Sequence, residues 1–157
     1  MVISRDVWTC VKEDAVAQRS YDVVESVAMQ LISSDASVLP VTAELSYRVS
    51  DPYTVRAVFT SPQSTSVWLL GRELLLQGML ADAEDPAGCG DVQVWRDEDP
   101  LFTLISLTGI EGSALLAAPS EPLERFLTAT EQLVALGTES DRMEGEIAAL
   151  IAALLTA

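Results

Sequence analysis

The chain has no histidine, two cysteines and one lysine, Lys12, in its 157 residues. The missing histidine removes the commonest general base and the commonest metal ligand, so neither a Cys/His zinc site nor a histidine-based catalytic relay is available. Cys10 and Cys89 are far apart and not at metal-ligand spacing, and two cysteines do not make a disulfide framework. Basic residues are equally scarce, nine against 24 acidic ones, for a formal charge of -15. A field of that sign repels phosphate backbones and anionic lipid surfaces, and it suits basic partners or simple solubility. The N-terminus shows no basic region followed by an apolar run, so no signal peptide is expected. The longest apolar tract, near the C-terminus, is too short and too amphipathic to span a bilayer. The chain reads as a cytoplasmic protein with reduced thiols and no direct membrane insertion.

Apolar residues make up 49% of the chain and charged residues 21%, a balance that supports one folded domain. Residues 1–22 carry no clean period and are read as an N-terminal extension; residues 23–157 form the domain. In "LPVTAELSYRVSDPYTVRAVFTS" the period is two. Val41, Ala43, Leu45, Tyr47 and Val49 alternate with polar residues, and Tyr53, Val55, Ala57 and Phe59 do the same after a turn at Asp51-Pro52. A strand over 23–33 precedes this pair, followed by the turn-forming "SSDAS", and a fourth strand containing Trp68 follows it. "GRELLLQGMLA" then predicts a short helix after Gly71. A second β section contains "DVQVW", "LFTLISL" and "SALLAAP". Two helices close the chain. The first has Ser120 as N-cap and a stripe of Leu123, Phe126, Leu127, Thr130, Leu133 and Val134, ending at Gly137. Thr138 caps the second, whose buried face is Met143, Ile147, Leu150, Ile151, Leu154 and Leu155, packed on its own sheet or on a neighbouring subunit. The fold class is α+β: two antiparallel meanders, each followed by a helix, with a C-terminal helix pair.

No constellation of reactive side chains stands out in the sequence. Cys89 lies in "AGCGD" with nothing basic beside it in sequence to lower its pKa, so it reads as a loop cysteine rather than a nucleophile. Asp97, Glu98 and Asp99 precede Pro100 and read as a solvated turn rather than a cation site. "GIEG" and "GCG" lack the Gly-Lys-Ser/Thr of a phosphate loop. Single-stranded nucleic acid needs exposed rings beside cations. Trp68, Trp95, Tyr47 and Tyr53 supply rings, but only Arg48, Arg56, Arg72 and Arg96 supply charge in the sheet region. That binding is the second reading, and a Cys89-dependent enzyme is the third. The first is protein recognition, with no cofactor and no metal. Trp68 is expected in the core, and Trp95, which ends a strand beside an acidic loop, at the surface.

Several motifs in order resemble the SsgA-like proteins of sporulating actinobacteria. "LPVTAELSYRVSDPYTVRAVF" resembles their Leu-Pro-Val strand and Asp-Pro-Tyr turn; "VWLLGRELLLQGM" is similar to their Trp strand and leucine-rich helix. "GDVQVW" and "SEPLERFLTATEQLVALGTE" are similar to a further strand and to the C-terminal helix and turn, so that the match runs from about position 26 to position 155. The resemblance implies a whirly-like ββββα–βββα fold built as a pair of sheets with helices, a trimer, and a non-enzymatic role in sporulation-specific cell division. It also implies an SsgA-like protein and the tubulin-like FtsZ as partners, the latter through the family's SsgB branch, and a place at the division septum. No catalytic residue comes with it. The residues expected to carry protein contact are Trp95, Met143, Leu150 and Leu154.

Overall fold

The computed structural model describes residues 20–33, 35–110 and 112–155, apart from the side chains of 141–146. The extension read over 1–22 therefore lies, for 1–19, outside the described residues. In chain order the elements are β1 (Val23–Ile32), β2 (Val38–Arg48), β3 (Asp51–Thr60), β4 (Thr65–Gly71), α1 (Arg72–Gly78), β5 (Val92–Arg96), β6 (Phe102–Gly109), β7 (Gly112–Pro119), α2 (Ser120–Leu133) and α3 (Glu139–Leu155). The two meanders and their helices are as expected. They are not two sheets: Gln30, Leu31 and Ile32 of β1 pair antiparallel with Ala117, Leu116 and Leu115 of β7. The result is one seven-stranded sheet in the order β4-β3-β2-β1-β7-β6-β5. β1 is long enough, at ten residues, to pair with β2 along its length and still offer its far end to β7.

The period of two in β2 buries Val41, Ala43, Leu45 and Tyr47, and the facing strand buries Val55, Ala57 and Phe59. Their turn is displaced from the expected place. Val49 and Ser50 make it, while Asp51 and Pro52 open β3, and the register shifts between Ser46 and Arg48. An irregularity of this kind reverses which side chains face inward. Pro52 is consequently buried and Tyr53, expected inside, is 45% exposed. The Tyr47 hydroxyl donates to the Pro52 carbonyl at 3.0 Å, tying the two sides of the irregular turn together. Pro52 near the start of a strand costs no ladder bond that the sheet needs.

The "SSDAS" turn forms as its chemistry suggests. The Ser33 and Ser37 hydroxyls, each at 2.7 Å, and the Ser37 N–H donate to Asp35 Oδ1. Those three donors hold the Asp35 carboxyl at a pKa of about 2.

The helices close the core. α1 packs on β3, β4 and β5, and α2 on β1 and β7. Leu75, Leu123, Phe126 and Leu127 join the strand residues in one buried cluster. Gly78 lets α1 lie directly on β5: a Cβ there would sit 2.2 Å from Val94 Cγ1. The helix ends differ from expectation. α2 begins at Ser120 itself with Pro119 before it and no side-chain cap. The Ser120 hydroxyl is instead 2.9 Å from that of the buried Thr103. α2 ends at Leu133, and Gly137, with φ +88°, shapes the link to α3. Thr138 precedes α3, but its hydroxyl donates back to the Ala135 carbonyl at 2.6 Å.

Candidate protein-interaction surface

Arg72 directly follows β4 and starts an apolar helix, so its side chain points among hydrophobic neighbours. It is fully buried. A buried guanidinium must be paired and hydrogen-bonded. Nη1 donates to the Val134 carbonyl at 2.7 Å, just past the end of α2, and at 3.2 Å to the Thr130 carbonyl, which also accepts the Val134 N–H. Nη2 donates to Glu139 Oε2 at 2.6 Å, and the guanidinium lies 5.3 Å from the centre of the Tyr47 ring. Glu139 Oε1 accepts the Gly137 N–H at 2.9 Å. The hydrogen bond from Arg72 holds the Glu139 carboxyl below its ordinary pKa of 4.5. One cation thus fastens the end of α2 and the first residue of α3 to the body.

Beyond that point α3 does not bury its apolar stripe. Ile147 is 54% exposed, Leu150 58%, Ile151 50%, Leu154 66% and Leu155 80%. The stripe predicted to be a buried face is, within one chain, an open one. Apolar periodicity marks a face that seeks a surface without saying whose. Leu150 and Leu154 thus stand where a partner can reach them, and the Met143 side chain lies outside the described residues.

Trp95 is elsewhere. It is half-buried on β5 and lines an apolar groove of about 770 Å³ where the two meanders meet. Leu31, Ile32, Leu39, Phe59, Leu115 and Leu116 form its walls, with serines of the β3–β4 loop and of β6 and β7 between them. None of its described lining residues is charged. The structure therefore brings the expected contact residues onto two separate features, the groove and α3. The groove was not legible in sequence, since it depends on the pairing of β1 with β7. The available signal was "SPQSTS" facing the apolar "LIS" and "ALL" segments, which reads as ordinary loop and strand. Trp68, expected in the core, packs partly buried against it with its indole N–H lacking an acceptor.

The rings and cations named for nucleic-acid binding are split between the core and one surface cluster at Tyr21. Arg72 and Tyr47 are fully buried. Arg48 stacks over the Tyr21 ring at 4.3 Å, and Arg56 lies 6.0 Å from the same ring. Cys89 is exposed. Asp99 is engaged in its own turn, accepting the Leu101 N–H at 3.0 Å. Among the described residues no cluster of three metal-ligating side chains forms, and no helix is long and apolar enough to cross a membrane.

Comparison with known proteins agrees with this layout. The sequence profile described as "Streptomyces sporulation and cell division protein, SsgA" matches residues 41–139. The sporulation-specific cell division protein SsgB of Streptomyces coelicolor is 42% identical over 114 residues, which are 71% of this chain and 80% of that protein. SsgB of Salinispora tropica is 36% identical over 126 residues, 77% of this chain and 85% of that one. Two solved structures superpose well. One is an SsgB structure from a study of SsgB mutations and longitudinal cell division in Streptomyces coelicolor (TM-score 0.68, 39% identity, 76% of this chain and 93% of that one). The other is an SsgA-like sporulation-specific cell division protein from Thermobifida fusca (TM-score 0.70, 36% identity, 80% and 93%).

Proposed function

The chain belongs to the SsgA family of sporulation and cell division proteins, and we propose that it acts there as a non-enzymatic, homo-oligomeric adaptor. It works at the division septum during sporulation, helping to select the septum site by binding an SsgA-like protein and recruiting FtsZ. The observation that carries this reading is the charge-free stretch 147–155 of α3, held out from the body with its large side chains half or more exposed. Contiguous apolar surface on a folded chain is a mark of protein contact. The names of the relatives supply the process, sporulation-specific cell division. The ββββα–βββα order supports a whirly-like arrangement. That arrangement does not by itself carry a nucleic-acid role, because fold and function are separable, and the charge of -15 disfavours a phosphate backbone.

The test is capture of FtsZ by the full chain in solution, together with the position of a fluorescent fusion in sporulating cells. Binding and fluorescence concentrated at sporulation septa are expected. Diffuse fluorescence with no capture overturns the reading.

A further inference from the structure

Two of the chain's nine basic residues gather on one aromatic ring. Arg48 stacks on Tyr21 at 4.3 Å, and Arg56 lies 6.0 Å from the centre of the same ring. All three line a pocket of about 210 Å³, together with Ser46, Asp51 and Leu69. Both arginines point away from the core. Arg48 follows the buried Tyr47, and Arg56 stands between the buried Val55 and Ala57, so each takes the other face of the sheet. The register sets one row across four strands on that face: Val24 opposite Ser46, Ser46 opposite Arg56, and Arg56 opposite Leu69. Its apolar ends are open, Val24 at 52% and Leu69 at 50% exposure.

The pocket has the chemistry of a carboxylate site. Two guanidiniums held against one ring repel each other unless an anion lies beside them. Asp51 supplies one negative charge against two positive ones, which leaves the lining with one positive charge in excess. The Tyr21 hydroxyl is buried and has no hydrogen-bond partner. A buried donor without an acceptor is unfavourable. A carboxylate supplies both the missing charge and the missing acceptor.

The course of the chain selects which carboxylate. Asp22 is fastened next to Tyr21: its N–H donates to the Tyr47 carbonyl at 2.8 Å, and its Oδ2 accepts the Val49 N–H at 2.8 Å. Residues 1–19 therefore join the body at the rim of this pocket. Asp14 stands seven positions before Tyr21, a reach of at most about 24 Å along extended chain. Glu13 and Asp14 lie between Val11 and Val16, an apolar–acidic–apolar order that complements the row from Val24 through Arg56 to Leu69. A carboxylate on so short a tether acts at an effective concentration of about millimolar. An anion from outside has to approach against a charge of -15.

We infer that the pocket of Tyr21, Arg48 and Arg56 is a carboxylate site filled by the Glu13–Asp14 pair of the same chain, with Val11 and Val16 set over the apolar ends of the row. The N-terminal segment thereby covers the outer face of the first meander. This contact is separate from α3 and does not depend on the adaptor reading.

The experiment is hydrogen–deuterium exchange of the full chain, read on peptides covering residues 8–19. In wild type these amides are expected to exchange about tenfold more slowly than in an unfolded chain. Arg48→Gln with Arg56→Gln, and separately Glu13→Gln with Asp14→Asn, are each expected to bring them within about twofold of the unfolded rate. Arg96→Gln, outside the pocket, leaves the protection unchanged. Exchange in β2 and β3 reports on the sheet in the same samples. If the arginine variant disturbs those strands, the Glu13 and Asp14 variant, which alters no residue of the sheet, decides alone. Reversing both sides, with Arg48→Glu and Arg56→Glu beside Glu13→Arg and Asp14→Arg, is expected to restore protection, as a contact between opposite charges requires.

A wild type whose residues 8–19 exchange at the unfolded rate overturns the inference. Protection that survives in both neutralised variants overturns it too. Protection lost with the arginines but kept without Glu13 and Asp14 assigns the pocket to another anion and also overturns it. So does a charge-reversed chain that stays unprotected while its β2 and β3 exchange as in wild type.

Discussion

Arg72 and Glu139 are 67 positions apart in sequence and 2.6 Å apart in space, the arginine wholly enclosed and the glutamate nearly so. The pair decides where α3 leaves the body. It joins the start of α1, the end of α2 and the start of α3 at one point, through four contacts of a single guanidinium and its partner. Removing one member of such a pair strands the other. Glu139→Ala is expected to cost about 3–5 kcal/mol, because Arg72 keeps its charge with no anion beside it. Arg72→Met with Glu139→Met is expected to recover much of that loss, since neither charge then needs a partner. Urea denaturation of the three variants beside wild type measures this.

The same pair gives a pH dependence of known sign. Glu139 has its pKa lowered in the folded state, chiefly by the hydrogen bond from Arg72. Its contribution is therefore complete above the ordinary value of 4.5 and is lost as pH falls through the lower folded value. Other carboxylates titrate in this range, so the readout is a difference. Wild-type stability minus that of Glu139→Gln is expected to be constant above about pH 5.5 and to shrink below pH 4.5. Urea titrations at stepped pH provide both curves.

α3 and α2 predict opposite responses to the same substitution. Leu127 is buried in the core cluster, and Leu127→Ala is expected to cost about 2–5 kcal/mol. Leu150 and Leu154 touch solvent, and Leu150→Ala with Leu154→Ala is expected to change monomer stability by about 0.5 kcal/mol or less. Thermal unfolding at low protein concentration, where self-association is negligible, separates the two cases.

Gly78 is a close-approach glycine. Gly78→Ala puts a methyl where Val94 Cγ1 already sits, 2.2 Å from the ideal Cβ position. α1 must lift from β5, at an expected cost of about 1–3 kcal/mol. Val94→Ala alone leaves a gap, whereas Gly78→Ala with Val94→Ala is expected to restore part of the stability. A double-mutant cycle by chemical denaturation checks the coupling.

Much of this architecture is legible in the residues. Alternation in β2 and in the outer half of β3 gives both strands and their buried face, because a one-sided sheet forces a period of two. The leucine spacing after Gly71 and after Pro119 gives α1 and α2 for the corresponding reason at a period of 3.6. Where reading by period fails, a single local event intervenes. The irregularity between Ser46 and Arg48 reverses Pro52 and Tyr53. Ser120 has a better partner in Thr103 than in its own helix. Joining the meanders into one sheet depends on three residue pairs between β1 and β7, separated by more than eighty positions, which no local pattern encodes. The candidate surface is legible only in part. The spacing of Leu150 and Leu154 shows an apolar face, but not that this face is exposed. Trp95 is legible as a residue at the surface, but its place in a neutral groove is not. Arg72 looked like one surface cation among four, since nothing in its neighbours announces Glu139 so far downstream.

The central claim is that this chain acts through what its surface touches, with α3 as the touching element. Its most direct measurement is complementation of a sporulating host that lacks the gene, using the full chain with Leu150→Glu and Leu154→Glu. The account predicts a protein of wild-type circular dichroism and wild-type abundance that no longer supports sporulation septa, while Cys89→Ser supports them fully. Normal septation with the charged helix, or its loss with Cys89→Ser, would contradict the account.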